Sequence, residues 1–405
     1  MKSEQAAATG ETKLRIGLLT NYHMECTGGA EEAYDQLASH WHAHGHQITL
    51  FSTPPRSDRP FHRRPWQPAY DVVSMPRPFS TRFGLRRFVS ALEHHHARKP
   101  FDLLFAGDTY WAGFVAHWFS QRTGVPFVIN CQGVGLIEGC RFAKRWLTRR
   151  RIAAAISAAD GFVAPSRYIQ DRARSLTTPR GIDRVIPNGW PDSWLEQSVV
   201  RPAVDGRYVF GMGRLIPLKG FHTLVEATAL LRAKHPDVGL IVAGDGSALP
   251  ELVELAEARG WHTARGAEMP TMLGSTAWFP GFVHGDVKRA LIAGAEVAVS
   301  PSIRKEPMSL ALFEILSCGI PVVGSAVGGT PDIVVPGVNG ELFEAENVGD
   351  LAAKLDRILG DGAYRRRLAD KSLPSVKQHR WSEISRRFEE LFRDVLAARF
   401  RTRAA

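Results

Sequence analysis

Short apolar runs alternate with longer amphipathic segments along most of the chain. The helical patterns between them lie at 30–43, 221–234, 249–259 and 309–317. The apolar runs have the length of buried strands and lie at 13–19, 47–52, 102–106, 126–130, 161–164, 184–186, 208–212, 239–243, 278–283, 297–300 and 320–324. Strands that alternate with helices predict parallel sheets covered on both faces, which is the α/β class.

The alternation restarts after a polar stretch at 193–206, which predicts two Rossmann-like domains. We place the first domain at 1–195, the second at 205–375, and a final helical segment at 376–405 that packs back on the first domain. Ligands of open α/β sheets bind beyond the carboxyl ends of the strands, so a ligand is expected in a cleft between the domains. The stretch 381–399 carries an apolar stripe, whereas the basic tail at 399–403 is expected to fray.

Composition indicates a folded, water-soluble protein. The 405 residues are 44% hydrophobic and 23% charged, and no apolar run reaches the roughly 18 residues of a membrane-spanning helix. The first 13 residues lack the apolar centre of a signal peptide. The cysteines form no Cys-x-x-Cys pair, which favours reduced thiols in a cytoplasm; they are Cys26, Cys131, Cys140 and Cys318. We therefore expect a cytoplasmic protein.

The positive charge is concentrated in the first half of the chain. Residues 1–200 hold 25 basic and 17 acidic residues, whereas residues 201–405 hold 26 and 24. The segment from Arg141 to Arg151 has no acid and resembles an interfacial amphipathic helix, which predicts contact with anionic lipid at the inner face of the membrane. The alternatives are a solvated charged face and a phosphate-bearing acceptor site. No nucleic-acid-binding module accompanies the charge, so no nucleic acid partner is expected.

A glycine pair, Gly28-Gly29, follows the first strand and opens a helix. Free backbone N–H groups at such a helix start can hold a phosphate. The alternative is a tight turn without a ligand, since glycine pairs mark turns generally.

Two cations follow the strand at 208–212. Arg214 lies directly after it, and Lys219 precedes the next helix. A guanidinium and an ammonium at the carboxyl end of a strand can stabilise a departing diphosphate. The alternative is a pair of solvated side chains at a helix start.

Two glutamates, Glu306 and Glu314, are separated by seven residues around the start of a helix. A carboxylate can accept hydrogen bonds from two vicinal sugar hydroxyls, and free amides at the helix start can bind a phosphate or sugar oxygen. Those amides belong to Met308, Ser309 and Leu310. The chain contains no Asp-x-Asp pair, so no metal site for a diphosphate is expected.

Taken together, these segments resemble the retaining, nucleotide-sugar-dependent glycosyltransferases of family 4, whose fold is GT-B. Each motif is weak alone, and the resemblance rests on their combination along almost the whole chain. The matching segments are Gly28 to Glu31, Ala159 to Ser166, Val185 to Gly189, Gly213 to Leu215 with Lys219-Gly220, Val242 to Gly246, Ser300 to Ser302, Glu306 with Glu314, Gly319 to Val323, Gly328 to Asp332 and Asn339-Gly340.

The resemblance implies two Rossmann-like domains that face each other across a cleft and close over the donor. The implied reaction moves a sugar from a nucleoside diphosphate sugar, with uridine or guanosine as the expected base, to an acceptor with retention and without a metal or other cofactor. It also implies that Arg214 and Lys219 contact the diphosphate, that Glu314 binds the ribose hydroxyls, that Glu306 binds the transferred sugar, and that Gly29 approaches the distal phosphate.

The sequence departs from the family pattern on the acceptor side. Gln132 stands where many relatives carry a histidine, and an amide cannot act as a base. Asp108 lies in a second altered loop and is a candidate acceptor-binding residue or a helix cap. A catalytically weak or inactive sugar-nucleotide-binding relative is therefore the alternative function. An oxidoreductase is disfavoured because no Gly-x-Gly-x-x-Gly loop follows the first strand.

Overall fold

The computed structural model describes residues 13–21, 24–26, 28–53, 66–75, 82–133, 135–138, 140, 145–196 and 206–404. The chain divides into two compact units. The first unit comprises 1–187 and 381–405, and the second comprises 188–380. These divisions differ from the predicted boundaries, because residues 188–195 and the segment 376–380 belong to the second unit.

The first unit is built on a parallel sheet. Its strands are β1 (Arg15–Thr20), β2 (Gln47–Ser52), β3 (Asp71–Ser74), β4 (Leu103–Gly107), β5 (Phe127–Asn130), β6 (Gly161–Ala164) and β7 (Ile182–Val185). The helices between them are α1 (Gly29–Ala43), α2 (Arg82–Arg98), α3 (Phe114–Thr123), α4 (Trp146–Ala158) and α5 (Arg167–Leu176). A π-helical turn, Thr109–Gly113, follows β4.

The strand order of the first sheet is β3-β2-β1-β4-β5-β6-β7. The chain adds β2 and β3 on one side of β1 and then returns to place β4 on the other side, with Thr20 paired in register with Gly107. The loops that leave Thr20 and Gly107 therefore diverge, which is the place where doubly wound sheets bind ligands. All five residues of β4 are buried, as expected for a strand covered on both faces.

The second unit repeats this plan. Its strands are β8 (Arg207–Met212), β9 (Val238–Ala243), β10 (His262–Arg265), β11 (Thr276–Gly281), β12 (Val297–Ser300), β13 (Val322–Ser325) and β14 (Gly340–Phe343). Its α-helices are α6 (Ser193–Glu196), α7 (Phe221–Leu231), α8 (Leu249–Ala258), α9 (Gly285–Ala293), α10 (Leu310–Ser317), α11 (Val348–Gly360) and α12 (Gly362–Val376).

The second sheet has the order β10-β11-β9-β8-β12-β13-β14, and all its strands are parallel. The order reverses between β8 and β12, so the loops after Met212 and Ser300 leave neighbouring strands at the same edge. These loops carry Arg214, Lys219 and Glu306. The α/β prediction is confirmed by the two sheets.

The last helix, α13 (Trp381–Ala404), belongs to the first unit. Trp41 of α1 meets the rings of Phe388 and Phe392 edge-on, at centroid distances of 5.9 and 5.1 Å. All three rings are buried, so this contact removes a large apolar area from water. The expectation that the chain frays from Arg399 is wrong, because the helix continues to Ala404 and the Arg399 Nε lies 2.6 Å from a carboxylate oxygen of Asp160.

A second contact of α13 depends on pH. His44 Nδ1 lies 2.7 Å from a carboxylate oxygen of Glu389, and His46 Nε2 lies 3.7 Å from the same oxygen. Burial alone raises the pKa of Glu389, but the neighbouring imidazoles of His46 and His44 outweigh burial and hold this pKa below its usual value of 4.5. The ionised carboxylate therefore stabilises the folded unit above pH 4.5, and this contribution is lost as the pH falls through the lowered pKa of the folded state.

We expect the free energy of unfolding in urea to fall more steeply between about pH 6 and pH 3 in the wild type than in the variant Glu389→Gln. The exposed Glu390 of the same helix supplies the control, since Glu390→Gln removes a carboxylate that is not buried. Equal pH slopes for the wild type and Glu389→Gln would contradict the assignment.

The four cysteines are free thiols, as their spacing predicts. Cys26 and Cys131 are buried, and Cys140 and Cys318 are partly buried. Within the part of the chain that the structure describes, no helix is both long enough and apolar enough to cross a bilayer.

Candidate functional site

The loop after β8 is held close to the loop after β12. It contains a 3₁₀ turn, Pro217–Lys219, which ends at Gly220 with a φ of 70°. A Cβ at Gly220 would overlap the carbonyl oxygen of Pro301, so only glycine fits this approach. The carbonyl of Leu218 accepts hydrogen bonds from two amides of the β12 loop, at 3.1 and 3.2 Å. The two loops therefore form one backbone framework.

This framework joins two of the predicted site residues. The Lys219 Nζ lies 2.6 Å from one carboxylate oxygen of Glu306 and 2.8 Å from the other. Both side chains are about one-fifth exposed. Arg214 is exposed, and its guanidinium makes no ion pair or hydrogen bond with any described residue. The group as a whole carries one net positive charge, and that charge belongs to the accessible Arg214.

The main chain of Glu306 is fixed from its other side by the loop after β13. The amide of Gly329 donates to the Glu306 carbonyl at 2.9 Å. Gly328 has a φ of 59°, and a Cβ there would overlap the Glu306 backbone. The Glu306 side chain thus leaves a rigid turn, as a precisely placed ligand-binding carboxylate requires.

Helix α10 begins at Leu310, with Ser309 as its N-cap residue. The Ser309 side chain makes no capping hydrogen bond. The amides of Met308, Ser309 and Leu310 donate no hydrogen bond to the described residues. Free amides at a helix start attract an anion or a sugar oxygen. These three donors follow Glu306 and Pro307 directly in the chain.

Glu314 lies inside α10 and is paired with Lys288 of α9, whose Nζ is 2.6 Å from a carboxylate oxygen. The same ammonium lies 5.4 Å from the centre of the Trp194 ring. Glu314 is 15% exposed, so its carboxylate is held firmly and remains accessible at one side. Sequence reasoning missed Lys288 and Trp194, because no motif links α6 and α9 to α10.

In the first unit, Gly28 is the N-cap residue of α1 and Gly29 is its first residue. A Cβ at Gly28 would overlap the carboxylate of Glu31, which therefore lies against the helix start. A carboxylate is stabilised there by the helix dipole. A phosphate at this helix start would compete with this carboxylate for the same position.

Asp108 follows β4 and has a φ of 104°, a strained backbone conformation for a residue with a side chain. Its carboxylate accepts a hydrogen bond from the amide of Thr109 at 2.8 Å and is completely buried. The Cys131 Sγ lies 3.7 Å from the same carboxylate. The structure thus shows Asp108 as the cap of the π-helical turn.

The end of β5 lies in the same cluster of buried polar groups as Asp108 and Cys131. The Tyr34 hydroxyl donates to the Asn130 carbonyl at 3.1 Å, and the Asn130 Oδ1 is buried with no hydrogen-bond partner among the described residues. Burial and then the charge of Asp108 raise the pKa of both Tyr34 and Cys131 well above their usual values. Both groups remain protonated at neutral pH. Gln132 is half-buried beside them in the chain.

The structure therefore brings Arg214, Lys219, Glu306 and the α10 amides to one edge of the second sheet. The remaining candidates, Gly28, Gly29, Asp108 and Gln132, lie after β1, β4 and β5 in the first unit. Among the described residues, no three His, Cys, Asp or Glu side chains are grouped so as to hold a metal ion.

Comparison with known families covers both units. Residues 28–189 match the glycosyl transferase 4-like domain, and residues 192–372 match the glycosyl transferases group 1 domain. An uncharacterized glycosyltransferase of Methanocaldococcus jannaschii is 28% identical over 237 residues, which cover 55% of this chain and 57% of the relative. A D-inositol 3-phosphate glycosyltransferase of Salinispora tropica is 28% identical over 318 residues, which cover 71% of this chain and 63% of the relative. The matches thus span about three-fifths of the length of these two curated relatives.

Solved structures share the fold. Sucrose-phosphate synthase from Thermosynechococcus elongatus superposes with a TM-score of 0.77 at 22% identity, covering 95% of this chain and 100% of that one. The Anabaena protein HepE in complex with UDP-glucose gives 0.71 at 19% identity, covering 94% and 100%. The GT-B prediction is thereby confirmed, and the chain belongs to the family 4-type glycosyltransferases.

Proposed function

We propose that the protein transfers a sugar from a nucleoside diphosphate sugar to an acceptor, with retention of the anomeric configuration and without a divalent metal. The observation that supports this most is the group formed by Arg214, Lys219 and Glu306 where the second sheet reverses its strand order. Uridine is the base we favour, since HepE, which shares the fold, is known in complex with UDP-glucose.

In this proposal the guanidinium of Arg214 binds the diphosphate and stabilises the charge that develops as the bond from the sugar C1 to the phosphate oxygen breaks. Lys219 would exchange part of its contact with Glu306 for a phosphate oxygen. Glu306 would then accept hydrogen bonds from hydroxyls of the transferred sugar. The α10 amides, in particular that of Ser309, would supply uncharged donors to the same ligand.

The acceptor oxygen would attack C1 on the face from which the phosphate leaves, and its proton would pass to the departing phosphate oxygen. This proton route needs no side-chain base. It is therefore compatible with Tyr34 and Cys131, which are held protonated, and with Gln132, which cannot titrate. Asp108 is buried and would act as a positioning residue for the turn beside it.

The same cluster favours a second candidate function, a catalytically inactive protein that binds nucleotide sugars. If the reaction needs a side-chain base near Gln132, Tyr34 and Cys131 are protonated at neutral pH, and the carboxylate of Asp108 is completely buried. Donor binding without turnover is the outcome that distinguishes this candidate.

The test is a panel of UDP-, GDP- and ADP-sugars, each incubated with the protein in excess EDTA. We expect one donor to raise the melting temperature and to be hydrolysed slowly in the absence of an acceptor. Release of nucleoside diphosphate is the readout. Hydrolysis that requires added Mg²⁺ would contradict metal independence, and binding of no nucleotide sugar would contradict the proposal itself.

A further inference from the structure

Helices α2, α3 and α4 line an open cavity of about 450 Å³ in the first unit. Its walls are mostly apolar and aromatic and include Leu85, Phe114 and Trp118. His117 also lines it, and burial lowers the pKa of its imidazole, so the ring is neutral at pH 7. The cavity therefore suits an apolar group.

Arginines stand at the rim of this cavity. Arg150 and Arg151 of α4 line it, and the Arg151 guanidinium lies 5.1 Å from the centre of the Phe114 ring. Arg145 and Arg149 precede them on the same segment. None of these four guanidinium groups forms an ion pair with a described residue. Neighbouring like charges destabilise a helix, and a bound anion would reduce this repulsion.

Large apolar side chains are exposed beside these charges. Trp146 is 68% exposed and Leu147 is 53% exposed, both in the first turn of α4. The Arg150 guanidinium lies 4.9 Å from the centre of the Trp146 ring. An exposed tryptophan, an exposed leucine and arginines without an ion pair among the described residues have, on one helix, the chemistry of a segment that lies in a bilayer interface.

We propose that α4 and the cavity beside it bind an anionic phospholipid membrane, with lipid phosphates on the arginines and an acyl chain in the cavity. Trp146 and Leu147 would enter the interface. A soluble phosphate compound satisfies the arginines but leaves the apolar cavity and the exposed leucine without a role. The proposal does not depend on the transferase reaction.

The first test is sedimentation of the full chain with vesicles at low salt. We expect binding to vesicles of phosphatidylcholine with about 30% phosphatidylglycerol, weak binding to phosphatidylcholine alone, and loss of binding in high salt. The double variant Arg149→Gln, Arg150→Gln should weaken binding by roughly 30-fold, at about fivefold for each charge. Leu147→Ser should weaken it by about tenfold.

Two variants in the second unit are matched controls. Arg366 is an exposed helical arginine, and Leu230 is a helical leucine that is 64% exposed. Arg366→Gln and Leu230→Ser should bind vesicles as the wild type does. Equal losses in these controls, or equal binding to neutral and anionic vesicles, would overturn the proposal.

The second test separates a lipid from a free phosphate compound and probes the cavity. Dihexanoyl phosphatidylglycerol below its micelle concentration should raise the melting temperature, whereas glycerol phosphate and inorganic phosphate should not. Ala154 lines the cavity and is exposed, so Ala154→Trp fills the space without disturbing the core. This variant should keep the wild-type circular dichroism and lose the lipid-induced shift. A shift of the same size with inorganic phosphate would contradict the membrane proposal. The ligand would then be a soluble anion.

Discussion

Replacing Arg214 with alanine is expected to lower kcat by about 10² to 10³, the usual cost of removing one preorganised donor from a developing charge. Arg214 is the one cation of its group without a partner among the described residues, so its charge is fully available to the diphosphate. The measurement is steady-state transfer or donor hydrolysis with the donor found in the panel. KM should change less than kcat, because the guanidinium is needed most when the phosphate departs.

The matched control is Arg265→Ala. Arg265 is also an exposed arginine at the carboxyl end of a parallel strand of the second sheet, but β10 is the edge strand, three positions from β8. We expect Arg265→Ala to retain wild-type turnover. Similar kcat values for the Arg214 variant and the wild type would show that another group stabilises the leaving diphosphate.

Replacing Glu314 with alanine is expected to weaken nucleotide binding through the loss of hydrogen bonds to the ribose hydroxyls. Each bond to a charged acceptor is worth about 1.5 to 3 kcal/mol, or roughly tenfold to a hundredfold in Kd. The measurement is the calorimetric Kd of UDP and of 2′,3′-dideoxyuridine diphosphate. The wild type should prefer UDP by about a hundredfold, and the Glu314→Ala variant should bind the two nucleotides nearly equally.

Glu226→Ala is the control for this experiment. Glu226 is a helical glutamate paired with Arg259 at 2.6 Å, so its removal breaks an ion pair like that of Glu314 with Lys288. The control should leave the preference for UDP unchanged. A Glu314→Ala variant that still prefers UDP by a hundredfold would place the ribose elsewhere.

Much of the fold follows from local patterns. A strand buried on both faces is a short apolar run, and the runs at 47–52, 161–164 and 297–300 coincide with the bounds of β2, β6 and β12. Glycines that permit close backbone contact can also be recognised in the sequence. Gly220 and Gly328 both belong to segments that match the family pattern. The boundary between the units is harder to predict from the sequence, since the polar stretch at 193–206 begins after the division at Pro187.

The pairing of charges could not be read from the sequence. Lys219 and Glu306 are 87 residues apart, and Lys288 and Glu314 are 26 apart, so each pair is created by the packing of separate elements. The sequence suggests Lys219 as a cation for the diphosphate, but only the structure shows that its charge is already shared with Glu306. Likewise, the capping geometry of Asp108 depends on the turn that follows it.

The return of α13 to the first unit has a consequence for biosynthesis. Trp41 and Phe105 meet Phe388 and Phe392, which the ribosome makes only after it has synthesised the whole second unit. Until then, the nascent first unit exposes an aromatic face that later becomes core. The second unit, whose residues are contiguous, has every partner it needs earlier, so the half of the protein translated later is the one able to finish folding first.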